Sequence, residues 1–451
     1  MSRGIKIQDL IVKKFGGFHL NKISCEWDLG EFILLTGDSG SGKSTLIHTV
    51  AGFNGVTFEG NILVDGLGIH KYSISEKAQK IGLMFQNPSQ QFTMRTLERE
   101  FVFVLENCGV SYYNAKSRIQ EAVDEMGISH LMYQELTTLS GGEKQRAALA
   151  ILIAVDAPVF LLDEPFASID PESRIFLINM LSKLRDKGKL IVVVDHDMTH
   201  YRQLIDRLFI MKNGSLTESQ VESLPEITDV PKLKSYKEID SAVFTLDNVA
   251  IGQGGEELIK KQDFTFYNGV STLTGDNGAG KSTLLKAMVQ LYPYSGKMFF
   301  QEKRVSRIFG KKRLYKLLTL AVQSAEQQFV TLQVSSELNF PKKISNEISK
   351  RQLQALEELN ITHLLDRSLF HLSEGQKKMV QLISLLSLDH NFLMLDEPFS
   401  GLDKKTCDYF VRWIEEKRTQ TDFLIVSHRL DPLDEISDYH LHLSNKSLKE
   451  V

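Results

Sequence analysis

Gly37-Asp38-Ser39-Gly40-Ser41-Gly42-Lys43-Ser44-Thr45 follows an apolar run, FILLTG, and precedes a helix-patterned one, TLIHTVAG. The stretch recurs 238 residues later as Gly275-Asp276-Asn277-Gly278-Ala279-Gly280-Lys281-Ser282-Thr283, between VSTLTG and TLLKAMVQ. G-x-x-x-x-G-K-[ST] set between a strand and a helix is a phosphate-binding loop. Its glycines are needed because the chain curls around an anion through dihedrals that a Cβ obstructs. The curl turns successive N–H groups inward, and the following helix adds the positive end of its dipole. The pattern predicts that Lys43 and Lys281 reach the β- and γ-phosphates of a nucleotide and that Ser44 and Ser282 ligate Mg2+.

Three further landmarks recur in the same order. FLLDEPFASID at 160–170 returns as FLMLDEPFSGLD at 392–403, and LSGGEKQ at 139–145 returns as LSEGQKK at 372–378, both with an offset of 233. Two apolar runs end in His196 and His428, offset by 232. The chain is one unit written twice. An acidic residue ending a buried apolar strand is costly unless paired or near a cation, which makes Asp163 and Asp396 metal-holding candidates. Glu164 and Glu397 come next. Adjacent strand residues face opposite sides, so a turn at the strand end is needed to bring both carboxylates to a nucleotide, where the glutamate would polarise the attacking water. A plain solvated turn is the bland alternative for such a pair, and an ordinary strand end is the bland alternative for each histidine.

A chain of 451 residues implies about two or three domains. Hydrophobic residues at 42% and charged residues at 24% are the mixture of a globular protein, and a net charge of −4 argues against a chain built mainly to neutralise nucleic-acid phosphates. Three distant cysteines, Cys25, Cys108 and Cys407, supply neither a disulfide framework nor a four-ligand zinc site, and fit a reducing compartment. The longest apolar stretches, Ala147–Val155 and Val380–Leu388, fall well short of the ~20 residues that span a bilayer, and MSRGIKIQDL lacks the apolar region of a secretory signal. Strand-like runs alternate with helical patterns, the α/β signature of a mostly parallel sheet. The expected organisation is a first domain over 1–215, a linker over 216–240 with two of the ten prolines, and a second domain over 241–451. Residues 90–155 and 327–388 read as a helical subdomain inserted in each α/β core.

LSGGEKQ between a phosphate loop and a DEP strand resembles the ABC-transporter signature, and the resemblance covers essentially the whole chain, twice. It implies two tandem P-loop NTPase domains of ABC type, each a RecA-like α/β core with an inserted helical subdomain, that bind and hydrolyse ATP with Mg2+. In that family two such domains pair head to tail. Carried over, Ser140, Gly141 and Gly142 cap the nucleotide on Lys281, while Ser373, Glu374 and Gly375 cap the one on Lys43. Gln86 and Gln323 match the Q-loop glutamine that approaches metal and water, Asp170 and Asp403 the D-loop, and His196 and His428 the histidine that contacts the γ-phosphate. Glu374 stands where the family has a glycine, which implies an asymmetric but working site. The adenine-stacking aromatic is expected at Phe15 or Phe18 in the first half, and VAIGQGGEEL offers none in the second.

LMFQNPSQQFTMRTLEREFVFVLEN at 83–107 is similar to the segment after the Q-loop of energy-coupling-factor (ECF) importers, and 321–340 repeats it weakly, keeping Gln328, Phe329 and Glu337. The similarity implies an integral membrane T component seated on this helix, a separate S component that binds a vitamin or a metal ion, and a place on the cytoplasmic face of the membrane. It also implies a monomeric ATPase unit, with some apolar surface of the docking groove, including Phe92 or Phe329, exposed. The bland alternative is that Phe92, Phe101 and Phe103 are core. Another importer or efflux ATPase is the alternative within the family. A soluble tandem ATPase acting on ribosomes or DNA is the other, although the linker is short and zinc cysteines are missing. The basic run Lys303–Lys316 reads as a solvated edge or a face toward anionic lipid; no nucleic acid partner is expected.

Overall fold

The computed structural model describes residues 4–13, 19–53, 55–166, 169, 171–224, 241–253, 256–276, 278–305, 314–339 and 346–451. Asp170, Asn277, Phe15 and Phe18, most of the linker and most of the basic run lie outside these residues. The chain divides into two units, Met1–Thr228 and Asp229–Val451.

In the first unit the central sheet runs in the order Ser215–Ser219, Arg207–Lys212, Phe32–Gly37, Leu190–Val194, Val159–Asp163, Ile81–Met84. All its pairs are parallel except the edge pair Ser215–Ser219 with Arg207–Lys212. The inner strands are Val/Leu/Ile runs because both faces of a parallel sheet are covered. Their side chains divide by parity. Ile33, Leu35, Val159, Leu161, Val192 and Val194 enter one core with Leu46, Ile47 and Val50 of the helix Lys43–Val50. That core is closed by a four-stranded antiparallel sheet in the order His19–Trp27, Ile5–Lys13, Phe58–Val64, Leu67–Gly68. Phe32, Leu34, Phe160, Leu162, Ile191 and Val193 enter the opposite core with the helices Leu97–Asn107, Tyr112–Met126 and Gly141–Val155. This is the expected helical subdomain.

The second unit repeats the plan. Its sheet runs Leu318–Ala321, Phe392–Asp396, Asp422–Val426, Val270–Gly275, Tyr439–Ser444, Ser447–Glu450, with an antiparallel sheet Glu256–Tyr267, Ala242–Gln253, Ser295–Phe300, Lys303–Arg304. In both units one strand separates the phosphate-loop strand from the DEP strand, and it is the strand that ends at the histidine. That order brings loop, carboxylates and histidine to one sheet edge.

One expectation needs correction. Residues 216–224, assigned to the linker, belong to the first unit: Ser215–Ser219 pairs on the sheet edge, Leu216 packs on one core and Leu224 is buried in the other. A short edge strand of mostly exposed polar residues carries too little alternation to be read from sequence. In keeping with the weak repeat at 321–340, the eleven-residue helix Leu97–Asn107 of the first unit has a five-residue counterpart, Val334–Leu338. Pro341 follows shortly after in the sequence, and a proline cannot donate to a continuing helix.

One polar staple sets where each phosphate-loop strand begins. Asp206 accepts from the Phe32 N–H at 2.7 Å and from Arg185 at 3.2 Å. Asp438 accepts from the Val270 N–H at 2.8 Å and from Arg418 at 2.5 Å. Asp438→Ala strands the Val270 N–H and takes from the Arg418 guanidinium one of its two carboxylates, leaving Glu415. It is expected to destabilise the second unit by about 2–4 kcal/mol, read as an earlier thermal transition of that unit.

Candidate active site

Gly42 and Gly280 cap the helices that begin at Lys43 and Lys281, with φ of 114° and 102°, a region that a side chain disfavours. At the start of each loop, a Cβ on Gly37 would lie 2.1 Å from the Met211 carbonyl oxygen, and one on Gly275 2.3 Å from that of Leu443. The loops therefore close against a neighbouring strand only with glycine there. The Lys43 ammonium donates to the carbonyls of Gly37 and Asp38 at 2.8 and 2.9 Å, and Lys281 does the same to Gly275 and Asp276 at 2.5 and 2.9 Å. Each lysine lies across the mouth of its loop. The Ser41 hydroxyl is buried there without a hydrogen-bond partner, which fits a loop built to receive an anion.

The DEP strands end as the chemistry requires. Glu164 has φ 45° and Glu397 has φ 50°, left-handed values that reverse the alternation and swing the second carboxylate to the side of the first. The turn is held by the Glu164 N–H donating to the Val194 carbonyl and the Glu397 N–H to the Val426 carbonyl, both at 2.9 Å. In the first unit the Ser44 hydroxyl donates to Asp163 Oδ1 at 3.0 Å. The Gln86 amide donates to Glu164 Oε2 at 2.7 Å, and His196 Nε2 lies 3.0 Å from Glu164 Oε1. Phosphate loop, Q-loop, carboxylate pair and histidine meet at one point. Hydroxyl and carboxylate oxygens at Ser44 and Asp163 form a donor set suited to a hard cation such as Mg2+. In the second unit Asp396 Oδ1 is buried without a hydrogen-bond partner, which fits the same use.

The second unit differs at the glutamine. His428 donates its backbone N–H to Glu397 Oε2 at 3.2 Å, and its Nε2 stands 3.6 Å from Oε1. Gln323 makes no side-chain bond to Glu397; its carbonyl accepts from Lys378 at 2.7 Å.

Ser140 and Ser373 are helix N-caps. Each hydroxyl oxygen accepts from the N–H three residues on, and the Glu143 or Gln376 side chain returns to the serine N–H. LSGGE and LSEGQ are thus capping boxes, and each hydroxyl keeps its proton for another acceptor. Gly141, Gly142, Glu374 and Gly375 form the first turn of these helices. Asp403 is also an N-cap, accepting from Thr406 N at 2.8 Å.

The residues after the Q-loop have a structural role. Gln91 accepts from Phe85 N and donates to the Leu83 carbonyl, while buried Glu100 accepts from Thr93 N and Met94 N. Gln328 and Glu337 repeat these braces. Phe101 is core, and Phe92 and Phe329, expected in an open groove, are half-buried against the cores of their units because the braced turn folds them inward. Exposed apolar surface of the first helical subdomain sits instead at Phe103, Tyr112, Tyr113 and Tyr133.

Sequence reasoning missed two groups. His48 Nε2 lies 3.3 Å from Asp163 Oδ2, one helical turn beyond the phosphate loop, and nothing in its sequence context marks it. Behind His196, buried Arg174 bonds Asp195, the Asp197 carbonyl and Thr199, and the Tyr201 hydroxyl donates to Asp195. The signal available was Asp195 itself, an acid at the end of a fully buried strand.

A family model described as ABC transporter matches residues 20–167 and 259–400. YkoD of Bacillus subtilis, an HMP/thiamine import ATP-binding protein by name, is 29% identical, with 94% of this chain and 87% of that one aligned. An ABC transporter ATP-binding protein of Sulfurisphaera tokodaii is 30% identical, with 92% and 90% aligned. Among solved structures an RNase-L inhibitor aligns over 98% of this chain and 90% of its own, with a TM-score of 0.63 and 18% identity, a likeness of fold.

Burial and the neighbouring Asp396 raise the Glu397 carboxyl to about 7, against the partial relief given by the His428 N–H and the Lys281 and Lys378 ammoniums. Because the folded value lies above the unfolded one, the stability this group contributes is complete below about pH 4.5 and is lost as pH rises through 7. Glu397→Gln, which stays neutral, is expected to match the nucleotide-free wild type near pH 5 and to exceed it in thermal stability by pH 8, by roughly 1–3 kcal/mol. Melting curves in EDTA across that range check the sign.

Proposed function

The chain belongs to the ABC transporter family and is one of its ATP-binding, ATP-hydrolysing members; on that premise we propose that it powers an importer of ECF type. The observation that carries the catalytic part is the convergence of Gln86, Glu164 and His196 beside Ser44 and Asp163. In this proposal Lys43 and Lys281 hold the phosphates of two ATP molecules, assisted by the loop residues 37–45 and 275–283. Glu164 and Glu397 take the proton of the attacking water. Gln86 and His196 orient Glu164 by engaging one carboxylate oxygen each, so its proton-accepting direction is set before ATP arrives. Ser44, Asp163 and Gln86, and Ser282, Asp396 and Gln323, are the residues proposed to hold Mg2+, which neutralises phosphate charge when bound. As the family resemblance implies, Ser140, Gly141 and Gly142 act on the ATP held by Lys281, and Ser373, Glu374 and Gly375 on that held by Lys43.

The importer assignment is supported by the segment after the Q-loop and by the likeness to a relative named for HMP/thiamine import. No helix among the described residues is long and apolar enough to cross a membrane. The proposed partners are an integral membrane T component and an S component for a vitamin or metal ion, with the ATPase on the cytoplasmic face as a monomeric unit.

Lys43→Ala and Lys281→Ala are each expected to lower ATP turnover at least about tenfold, since each deletes the charge that clamps one triphosphate. Glu164→Gln is expected to bind ATP normally while slowing hydrolysis by about 10²–10⁴. Near wild-type rates in both lysine variants would overturn the two-site assignment. For the importer, the tagged chain is incubated with membrane vesicles from its own host and with ribosomes. Retention on vesicles together with an integral membrane protein supports the proposal, and retention on ribosomes alone overturns it.

A further inference from the structure

Two residues of the second unit differ together from their counterparts in the first. The second signature carries Glu374 where the first has Gly141, and the turn after the second Q-loop reads AEQQF, placing Glu326 where PSQQF has Ser89. Both acids converge on one cation. The Lys377 ammonium donates to Glu374 Oε1 at 2.9 Å and also to Glu326. The Lys377 side chain is only 4% exposed. Burial alone would weaken the ammonium, but the two carboxylates outweigh it and raise its proton affinity, so the lysine is charged at neutral pH.

The same helix makes further bonds to the Q-loop segment. Lys378 donates to the Gln323 carbonyl at 2.7 Å, and Gln381 donates to the Val322 carbonyl at 2.9 Å and to Gln328 Oε1 at 2.7 Å. The first unit has Lys144, Gln145 and Ala148 at these positions. Among the described residues none of these three bonds the segment Gln86–Gln91, and Gln145 Oε1 is buried without a partner. A carboxylate in the first turn of a signature helix puts a negative charge where the proposed triphosphate must approach, and like charges brought together repel. The structure supplies the compensation inside the helix itself, three residues on.

We propose that Lys377 is the positioning residue of the second signature: it neutralises Glu374, holds that carboxylate against Glu326, and leaves Ser373 and Gly375 to face ATP phosphate. The same contacts tie the second signature helix to its Q-loop segment. This rests on the proposal above that Ser373-Glu374-Gly375 contacts an ATP molecule.

The test is steady-state ATP hydrolysis by the full-length chain as Lys377→Met, Glu374→Gly, the double variant and Ser373→Ala. Lys377→Met uncovers Glu374, and is expected to raise the ATP KM at least about tenfold with kcat held within about threefold. Adding Glu374→Gly is expected to return KM to within about threefold of the Glu374→Gly variant, a rescue that a purely structural role of Lys377 would not produce. Should Lys377→Met not fold, the double variant carries the test: a folded double variant with the KM of Glu374→Gly supports the role, and one that stays unfolded overturns it. An unchanged KM in Lys377→Met, with a defect in Ser373→Ala, overturns the role of Lys377 alone. Normal turnover in Ser373→Ala overturns the ATP contact beneath it.

Discussion

Each half of this protein ends a fully buried strand in two adjacent carboxylates, and the surrounding architecture answers that constraint. Burying one carboxylate without partners is costly, and burying two side by side adds their repulsion. The chain meets the cost by turning. A left-handed residue at Glu164 and at Glu397 places both groups at the sheet edge, and the neighbouring strand fixes the turn through the Val194 or Val426 carbonyl. That strand continues directly into the histidine. The phosphate loop, one strand further across, presents Ser44 to Asp163 in the first half. The proposed catalytic centre thus lies where the hydrogen-bonding needs of buried acids are met by groups that also suit a triphosphate and its cation.

The duplication shows which contacts the fold requires and which have drifted. The staples of Asp206 and Asp438, the capping boxes of Ser140 and Ser373, and the braces of Gln91 and Gln328 recur almost unchanged. The surroundings of the two glutamates do not. Glu164 is engaged by a glutamine side chain and a histidine ring, whereas Glu397 is met by a backbone N–H. Buried Lys378, lowered to about 8 mainly by desolvation, contributes positive charge near Asp396 and Glu397. Behind the histidines the arginine changes element. Arg174 enters from a helix in the first half; in the second, Cys407 holds that position and Arg429, from the loop itself, bonds the Leu402 carbonyl and Cys407. A cation persists behind each strand-end histidine although its origin in the chain does not.

Much of this was legible in residue order. The repeated phosphate loop, the DEP strands, the signature and the two strand-end histidines identify a duplicated α/β nucleotide-binding protein, because each demands particular residue types at short spacing. The edge strand Ser215–Ser219 escaped notice because its pairing depends on a neighbour rather than on its own pattern. The inward packing of Phe92 and Phe329 escaped for a similar reason: the brace that folds each inward is formed with the backbone of a separate strand. The Gln-Phe and glutamate recurrences that suggested a docking helix also have a local structural duty.

By itself, then, the sequence determined the fold class, the duplication and the residues proposed to bind phosphate and activate water, since glycine, lysine and carboxylate requirements are local and chemical. Only the tertiary structure decided which oxygen meets which donor. Gln86 and Glu164 are 78 residues apart and Ser44 and Asp163 are 119 apart. Their meeting depends on strand order and on one left-handed dihedral at each carboxylate pair, neither of which leaves a mark in residue spacing. The neutralisation of Glu374 by Lys377 lies on the same side of that line. The two residues are neighbours on one helix turn, but the second acid, Glu326, arrives from another element, and only the packed unit shows that one buried cation serves both.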